Sequence, residues 1–335
     1  CVALYDCDAC AVCSNFVARM ELRAGMVPSF WRYVHAAAYS VRLTTRSVNQ
    51  TSGIQNLDQD RYFNERVAFP SVEEQSAIAS FLDRETDKID ALIAEQEKLI
   101  ALLKEKRQAL ISHAVTKGLD PNAPMKDSGI EWLGQVPAHW DVARLGMIFR
   151  EVSDVGADDL PILSVSIHDG ISDKELDEAE MDRKVTRSED RSKYKAVQPG
   201  DLAYNMMRAW QGGFGAVTVT GQVSPAYVVA RPMAEVCTLF IEQLLRTPQA
   251  VEQMRRHSRG VTDFRLRLYW GEFKNIRVAL PPLREQQAIL DAATIETAKF
   301  DSLVGEAQGT IELLKERRTA LVSAAVTGKI YVLDS

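Results

Sequence analysis

The feature that most constrains the fold of this chain is a long segment that occurs twice. The string "LLKEKRQALISHAVTKG" at residues 102–118 returns as "LLKERRTALVSAAVTGK" at residues 313–329. Arg66 aligns with Arg277, and the same spacing of 211 residues continues without a gap to Thr116 and Thr327. The spacing also aligns "SNFVAR" at residues 14–19 with "PAYVVA" at residues 225–230. The duplicated unit therefore contains a long segment and the end of a domain that precedes it.

Residues that recur at alternating steps of four and three predict that each copy is a coiled-coil helix of about four heptads. Ser71, followed by Glu74, matches a capping box at the start of the first helix. Gly118 and Gly328 are the predicted ends of the two helices. The predicted seam positions are Leu82, Thr86, Ile89, Ile93, Gln96, Ile100, Leu103, Arg107 and Leu110 in the first helix, and Ala293, Thr297, Phe300, Val304, Ala307, Ile311, Leu314, Arg318 and Leu321 in the second.

The lengths of the segments predict how the two helices pair. Each helix would be about 65 Å long at about 1.5 Å per residue. The domain between them would be only about 40 Å across, too small to connect the ends of two parallel helices of that length. We therefore predict an antiparallel pair, with the two copies related by a pseudo-twofold axis. The alternative, two independent exposed helices, leaves both apolar stripes uncovered.

The predicted fold class is α+β, with two mixed α/β domains, the first incomplete, separated by a long antiparallel two-helix coiled coil. Residues 1–69 would be the end of the first domain, whose opening part the alignment places before position 1. The helices would occupy residues 70–118 and 281–328. Residues 119–139, rich in proline and glycine, are predicted to be a linker. The second domain, residues 140–280, has the pattern of short strands and turns, with one helix over residues 238–256.

Charge is unevenly distributed along the second domain. The whole chain of 335 residues has a formal net charge of −6, so its total charge does not argue for nucleic-acid binding. Residues 151–190 contain 13 acidic and 4 basic residues, whereas residues 191–280 contain 13 basic and 6 acidic ones. In the basic part, "NMMRAWQGGFG" mixes arginine, amide and aromatic side chains. Such residues neutralise phosphates and read base edges, although a solvated basic face is the alternative.

Familiar catalytic motifs are absent from the sequence. It contains no GxxxxGK[ST] phosphate loop, no HExxH zinc motif and no G-x-S-x-G nucleophile elbow, so we predict no catalysis and no cofactor. Cys7, Cys10 and Cys13 have a C-x-x-C-x-x-C spacing after Cys1, but no second cysteine or histidine cluster follows. We therefore expect strand cysteines and no metal site. The sequence shows no membrane span and no signal peptide, which predicts a cytoplasmic protein.

Four stretches carry a resemblance to a known family. They are "DSGIEWLGQVPAHWDVARL", "VQPGDLAYNMMRAWQGGFG", "VSPAYVVARP" and "VALPPLREQQAIL", and their order matches as well. The chain resembles the specificity (S) subunit of type I restriction-modification enzymes, with an N-terminal truncation. The resemblance implies two target-recognition domains, each reading one half of a split sequence in double-stranded DNA. It also implies that the helices space the halves and dock two methyltransferase (M) subunits. Restriction (R) subunits would join the complex of S and M subunits, and the S subunit itself would catalyse no reaction.

The resemblance and the basic segment together give the candidate functional residues. Two alternatives stay open: a structural coiled-coil adaptor that binds proteins, and an inactive truncated remnant. Leu92, Leu99 and Leu102 lie off the seam, where a partner would cover them. The candidate coiled-coil and partner residues are the large apolar seam residues Leu82, Ile89, Ile93, Ile100, Leu103, Leu110, Phe300, Val304, Ile311, Leu314 and Leu321. The candidate DNA-binding residues are Lys193, Arg208, Trp210, Gln211, Ser224, Tyr227, Arg259, Arg265 and Arg267.

Overall fold

The computed structural model describes the chain as two compact units. Unit 1 comprises Cys1–Leu102 and Ser302–Ser335, and unit 2 comprises Leu103–Asp301. The described residues are 2–5, 7, 12–13, 17–51, 54–157, 159–166, 170–172, 193–260 and 266–332. The helices are α1 (Pro28–Ser40), α2 (Gln59–Phe63), α3 (Val72–Lys117), α4 (Leu145–Ile148), α5 (Thr238–Leu245), α6 (Pro248–His257), α7 (Trp270–Phe273) and α8 (Leu283–Val326).

The two long helices, α3 and α8, run antiparallel. In unit 1, Leu82 near the start of α3 packs in one cluster with Val322 and Ala325 near the end of α8. In unit 2, Val115 near the end of α3 shares a cluster with Ile289 near the start of α8. The beginning of one helix thus meets the end of the other in both units, which confirms the predicted antiparallel coiled coil.

The heptad pattern decides which side chains of α3 and α8 are covered. Every predicted seam position is buried or half-buried. The leucines off the seam are exposed: Leu92 and Leu102 on α3 are 51% and 53% exposed, and Leu303 and Leu313 on α8 are 46% and 67% exposed. One apolar stripe on each helix is therefore buried, and a second, narrower set of leucines faces solvent.

Two ion pairs link α3 to α8, one within each unit. Arg318 Nε lies 3.0 Å from Asp90 Oδ1 in unit 1. Arg107 Nε lies 3.1 Å from Asp301 Oδ1 in unit 2. Asp90 and Asp301 are counterparts in the repeat, as are Arg107 and Arg318, so each pair is the repeat of the other. Because the side chains are partly exposed, each pair adds little to stability, about 1 kcal/mol at most. Both pairs form when the helices run antiparallel in this register, so they favour this pairing over other alignments of the two helices.

A buried glutamine near the start of each long helix is also repeated. Gln75 donates from Nε2 to the carbonyl of the proline before α3 at 2.9 Å and accepts from the Val27 N–H at 3.1 Å. Gln286 makes the same two bonds before α8, at 2.8 Å to the proline carbonyl and 2.9 Å from the Cys237 N–H. Val27 precedes α1 and Cys237 precedes α5. Helix α1 is therefore the counterpart of α5, and the repeat extends into the preceding domain as predicted.

In unit 1, α1 packs along the first part of α3. Phe30 is fully buried in a cluster with Ala79. The Tyr33 hydroxyl donates to Asp83 Oδ1 at 2.7 Å, and burial is the main reason why the pKa of Tyr33 is raised. This contact surface attaches α1 to the long helix.

The described strands are β1 (Val48–Thr51), β2 (Ile54–Leu57), β3 (Met125–Asp127), β4 (Gln135–Pro137), β5 (Asp141–Arg144), β6 (Phe149–Val152), β7 (Ser164–Ser166), β8 (Gly170–Ser172), β9 (Lys195–Val197), β10 (Leu202–Asn205), β11 (Phe214–Ala216), β12 (Gly221–Val223), β13 (Tyr227–Pro232) and β14 (Arg277–Leu280). Unit 2 is built on a four-stranded antiparallel sheet in the order β11-β10-β13-β6. Its other antiparallel pairs are β3–β4, β5–β14, β7–β8 and β9–β12, while β1–β2 belongs to unit 1.

Aromatic side chains fill the core between this sheet and its helices. The rings of Tyr204, Phe214 and Phe273 lie 4.7–5.9 Å apart between centroids. Burial raises the pKa of Tyr204 well above its usual value, so its hydroxyl stays neutral. On the other side of the same core, Trp140 meets Phe240 edge-on at 6.3 Å.

The predicted linker at residues 119–139 is wrong as a linker, because this segment is part of the unit 2 core. It forms the β3–β4 hairpin, and Ile130, Leu133 and Val136 are buried in the main cluster. Lys117 Nζ, at the end of α3, donates to the Leu133 carbonyl at 3.1 Å. The prolines and glycines supply the turns of a compact segment whose apolar residues face inward.

The single helix predicted over residues 238–256 is also wrong. The chain forms α5 and then α6, with a break at Thr247. The Thr247 side chain accepts from the Ala250 N–H, and Pro248 occupies the first turn of α6. Because proline lacks an N–H and is favoured at the start of a helix, it begins a new helix here instead of continuing α5.

Cys7 and Cys13 do not lie in strands, contrary to our expectation. Cys7 and Cys13 are exposed, unpaired thiols in irregular chain, and Cys1 and Cys10 lie outside the described residues. Within the described ranges, no three histidine, cysteine or acidic side chains are grouped so as to hold a metal ion. Among the helices described above, none has the length and apolarity needed to cross a lipid bilayer.

Aspartate substitutions on α8 separate the buried seam from the exposed face. Ile311 is 7% exposed, whereas Leu313 is 67% exposed. We expect Ile311→Asp to lower the free energy of unfolding by about 3 kcal/mol or more, because it removes apolar burial and buries an unpaired carboxylate. The matched control Leu313→Asp should change it by less than about 0.5 kcal/mol. Urea denaturation measures both, and equal effects would contradict the helix pairing.

Candidate nucleic-acid interface

Two connections leave the same edge of the four-stranded sheet in unit 2. Strand β10 ends at Asn205, and β11, its antiparallel neighbour, begins at Phe214. Strand β13 begins at Tyr227, which pairs directly with Asn205. The loop at residues 206–213 and the turn at residues 224–226 therefore lie side by side.

Backbone hydrogen bonds join these connections to a third segment. The Met206 N–H donates to the Ala226 carbonyl at 3.2 Å, and the Leu268 N–H donates to the Met206 carbonyl at 2.9 Å. Just before Leu268, Arg267 and Arg259 exchange two backbone hydrogen bonds of 2.9 Å each. The described residues of 206–213, 224–226 and 258–268 thus form one continuous edge, which we call the basic edge.

A tight turn sets the conformation of the 206–213 loop. The Arg208 carbonyl accepts from the N–H groups of Gln211 at 2.9 Å and Gly213 at 3.0 Å. Gly212 has a φ of +88°, which side chains rarely adopt, and a Cβ on Gly213 would lie 2.9 Å from the Arg208 carbonyl oxygen. Both glycines are therefore required, and the turn leaves the side chains of Arg208 and Gln211 exposed.

Trp210 stabilises the turn through a hydrogen bond within the loop. Its side chain is half-buried, and its Nε1 donates to the Met207 carbonyl at 2.9 Å. Ser224, in the neighbouring turn, is also half-buried, and its hydroxyl accepts from the Ala226 N–H at 3.4 Å. The structure places both residues on the basic edge, where their polar groups make local contacts.

Tyr227 is a core residue and is withdrawn from the candidate interface. It is 8% exposed and packs in a cluster with Val165 and Val229. Its hydroxyl accepts from the Val165 N–H at 3.5 Å. Because β13 is buried along its first four residues, its side chains do not alternate between core and solvent, and the aromatic ring faces inward.

Lys193 lies close to the turn at residues 224–226. Lys195 begins β9, pairs with Val223 and donates from Nζ to the Tyr227 carbonyl at 2.7 Å. Because β9 and β12 are antiparallel, the residues before Lys195 lie opposite the residues after Val223. The exposed Lys193 therefore lies near that turn. Arg265, the remaining candidate, lies outside the described residues.

Arginines that the sequence analysis did not select add to this surface. The last turn of α6 carries Arg255 and Arg256, and α6 packs under the loop, because a Cβ on Gly212 would lie 3.5 Å from Val251. Their signal in the sequence was the string "RRHSR" at residues 255–259. Helix periodicity would have placed them at the end of α6, next to Arg259.

Some of these basic side chains form ion pairs with carboxylates within the chain, and others remain available to bind an anion. Arg259 forms an ion pair with Glu272, and Arg256 Nε lies 3.4 Å from Glu252 Oε1. Within the described part of the chain, Arg208 and Arg267 have no carboxylate at ion-pair distance. These two exposed guanidinium groups are the most available to an anion, and Gln211 beside Arg208 adds an amide donor and acceptor.

A buried ion pair joins the two central strands, β10 and β13, at the end of the sheet opposite to the basic edge. Arg231 of β13 donates from Nε and Nη2 to the two oxygens of Asp201, at 2.9 Å and 3.0 Å. Asp201 is fully buried and precedes β10. Arg231 also donates to the more exposed Asp154 at 2.9 Å. The pKa of Arg231 is raised, chiefly because of its hydrogen bonds to Asp201, so the guanidinium stays charged.

Removing this arginine should destabilise the sheet that supports the basic edge. We expect Arg231→Ala to lower the free energy of unfolding by about 3–5 kcal/mol, because it leaves Asp201 buried without its partner. Asp154, whose side chain is 59% exposed, offers the control. Asp154→Ala should cost about 1 kcal/mol or less. Denaturation monitored by circular dichroism compares the two, and a larger loss from Asp154→Ala would contradict this account of the sheet.

Comparison with known proteins gives similarity to one group. The type I restriction enzyme MjaVIII specificity subunit of Methanocaldococcus jannaschii is 23% identical over 312 aligned residues, which cover 88% of this chain and 69% of the relative. The putative type I restriction enzyme MjaX specificity subunit of the same organism is 30% identical over 104 residues, which cover 31% of this chain and 22% of the relative. No family model matches the chain.

A solved structure shows the same fold. It was determined in a study of complex assembly and conformational transition of the type I restriction-modification system. It aligns with a TM-score of 0.62 at 15% identity, covering 91% of this chain and 72% of the other. The resemblance to type I specificity subunits, first drawn from sequence motifs, is confirmed by these similarities.

Proposed function

We propose that this chain is the DNA-recognition subunit of a type I restriction-modification complex and that it catalyses no reaction itself. The single observation that carries the proposal is the basic edge, where Arg208, Gln211 and Arg267 are exposed together. Similarity to specificity subunits over 88% of the chain supports the same function. The net charge of −6 does not oppose it, because the basic residues are concentrated in one domain.

The basic edge would read one half of a split target in double-stranded DNA. Arginine pairs with guanine and glutamine with adenine through two hydrogen bonds in the major groove. Arg208 and Gln211 project from the same glycine turn, which allows close approach to base edges. Lys193, close to the neighbouring turn at residues 224–226, and Arg259, in the adjoining segment 258–268, would neutralise phosphates. The domain of unit 1 would read the other half of the target.

The long helices would space the two halves and bind two M subunits, to which R subunits are added. The exposed leucines support this arrangement, because Leu92 and Leu102 on α3 recur as Leu303 and Leu313 on α8. The repeat thus presents the same pair of apolar side chains twice. Exposed apolar residues at equivalent places indicate equivalent binding surfaces for two copies of one partner.

The total acidic charge favours a second candidate, a coiled-coil adaptor whose domains bind proteins only. Gel-shift titrations of the chain with its M subunit, at low and moderate salt, distinguish the two functions. DNA recognition requires binding that weakens steeply as salt rises, because each phosphate contact releases counterions. An adaptor would bind no DNA at either salt concentration.

Substitutions of Arg208, on the basic edge, and of Lys193, close to the turn at residues 224–226, should have different effects on DNA binding. Arg208→Ala should cost about 1–3 kcal/mol on the parental half-site and relax selection at one base position, because a paired base contact is lost. Lys193→Ala should weaken binding to all sequences alike and reduce the salt slope by about one, as expected for a phosphate contact. Selection from randomised half-sites measures both effects. Recovery of the parental motif at parental strength with Arg208→Ala would place the reading surface elsewhere.

Aspartate substitutions at the repeated leucines test the partner surface. We expect the double variant Leu102→Asp and Leu313→Asp to lose co-purification with the M subunit, because charged groups would face its apolar contacts. Leu239 on α5 is 44% exposed, and Leu239→Asp is the matched control, which should retain the M subunit. Thermal unfolding of each variant checks the fold. An M subunit retained by the double variant would exclude this surface.

A further inference from the structure

An exposed methionine lies among the polar side chains of the basic edge. Met207 belongs to the 206–213 loop and directly precedes Arg208. Its side chain is 44% exposed, whereas Met206, the residue before it, is half-buried and packs against the main core cluster of unit 2. Two consecutive methionines thus have different surroundings, and only the second is presented to solvent beside the arginine.

Hydrogen bonds hold the backbone of Met207 on both sides. Its N–H donates to Asn205 Oδ1 at 2.9 Å, and its carbonyl accepts from Trp210 Nε1 at 2.9 Å. Asn205 is the last residue of β10, so the first of these bonds ties the loop to the sheet. The place from which the Met207 side chain leaves the loop is therefore fixed, next to the turn that exposes Arg208 and Gln211.

A second large side chain is exposed next to this loop. The Leu268 N–H donates to the Met206 carbonyl at 2.9 Å, and the residues that follow these two, Tyr269 and Met207, are each 44% exposed. A single exposed apolar side chain is common on a protein surface. Here two of them adjoin the exposed Arg267, so this surface combines apolar contact area with hydrogen-bonding groups.

The major groove of double-stranded DNA presents the same combination. Every base edge there carries hydrogen-bond donors or acceptors, and thymine adds its C5-methyl group, which an apolar side chain can contact. A methionine side chain is unbranched and polarisable, so it adapts its shape to such a contact. Other apolar side chains insert between base steps from the minor groove. The major groove fits this surface better, because Arg208 and Gln211 are of the types that pair with guanine and adenine there.

We propose that Met207 contacts the C5-methyl group of a thymine, so that the domain of unit 2 selects an A·T base pair in its half-site. The inference rests on the proposed DNA-recognition function and names a base pair that the target must contain. Arg208 and Gln211 would read polar groups, and Met207 would read the apolar group beside them. Cytosine has no methyl group at this position, so it would lose the contact.

DNA that contains uracil in place of thymine tests the contact directly. Uracil pairs with adenine as thymine does and lacks only the methyl group. The half-site recovered by selection from randomised sequences is synthesised with one thymine at a time replaced by uracil. Each duplex is titrated with the complex of the chain and its M subunit in a gel shift. We expect a position at which uracil weakens binding by about fourfold, the effect of losing one buried methyl group.

Substitutions of Met207 assign this effect to its side chain. Met207→Ala should bind the thymine and uracil duplexes equally well. Met207→Gln, which has a side chain of similar length with a polar end, should do the same and keeps the test decisive if the alanine variant fails to fold. Met233 is 54% exposed and follows β13, at the end of the sheet opposite to the basic edge. Met233→Ala is therefore the matched control and should keep the preference for thymine, and thermal unfolding checks each variant.

Three results would overturn the inference and leave the proposed function standing. The first is a selected half-site with no A·T pair. The second is a parental chain that binds uracil and thymine equally well at every position. The third is a thymine preference that Met207→Ala and Met207→Gln retain, or that Met233→Ala loses as well. A complex that binds no DNA at either salt concentration would show that the inference and the proposed function are both wrong.

Discussion

The fold depends on the burial of one apolar stripe along α3 and one along α8, because neither helix covers its own stripe. Their pairing also completes the cores of both units. Val115 and Ile289, from the two helices, lie in the main cluster of unit 2, and Leu82 and Val322 lie in the cluster of unit 1. Each core therefore uses residues from distant parts of the chain.

The long helices could be predicted because their signal is periodic, extends over about four heptads and occurs twice. The core position of residues 119–139 could not, because prolines and glycines dominate the local pattern, while the burial of Leu133 and Val136 depends on α3 and the sheet. The break between α5 and α6 has a local cause at Pro248, which the sequence already showed. Local chemistry was thus informative where it was strong, and tertiary contacts decided the rest.

The candidate interface was predictable to a similar extent. Arg208 and Gln211 are exposed because two adjacent glycines force a tight turn, and glycines are visible in a sequence. Tyr227 is buried because β13 is covered on both faces, and such a strand shows no alternation that would distinguish inward from outward residues. The joining of residues 206–213 to Arg267 depends on backbone hydrogen bonds between segments far apart in the chain. No local pattern contains that information.

The two ion pairs between the helices have a consequence for the origin of the chain. Asp90 and Arg107 belong to one copy of the repeat, and their partners Arg318 and Asp301 are the same two residue types in the other copy. A single copy therefore holds both halves of the complementary pattern, as the subunits of a symmetric homodimer do. Two identical polypeptides, each one copy of the repeat, would satisfy both pairs with no new residue. Gene duplication and fusion then need only a connection between chains that already fit, and each half is afterwards free to diverge.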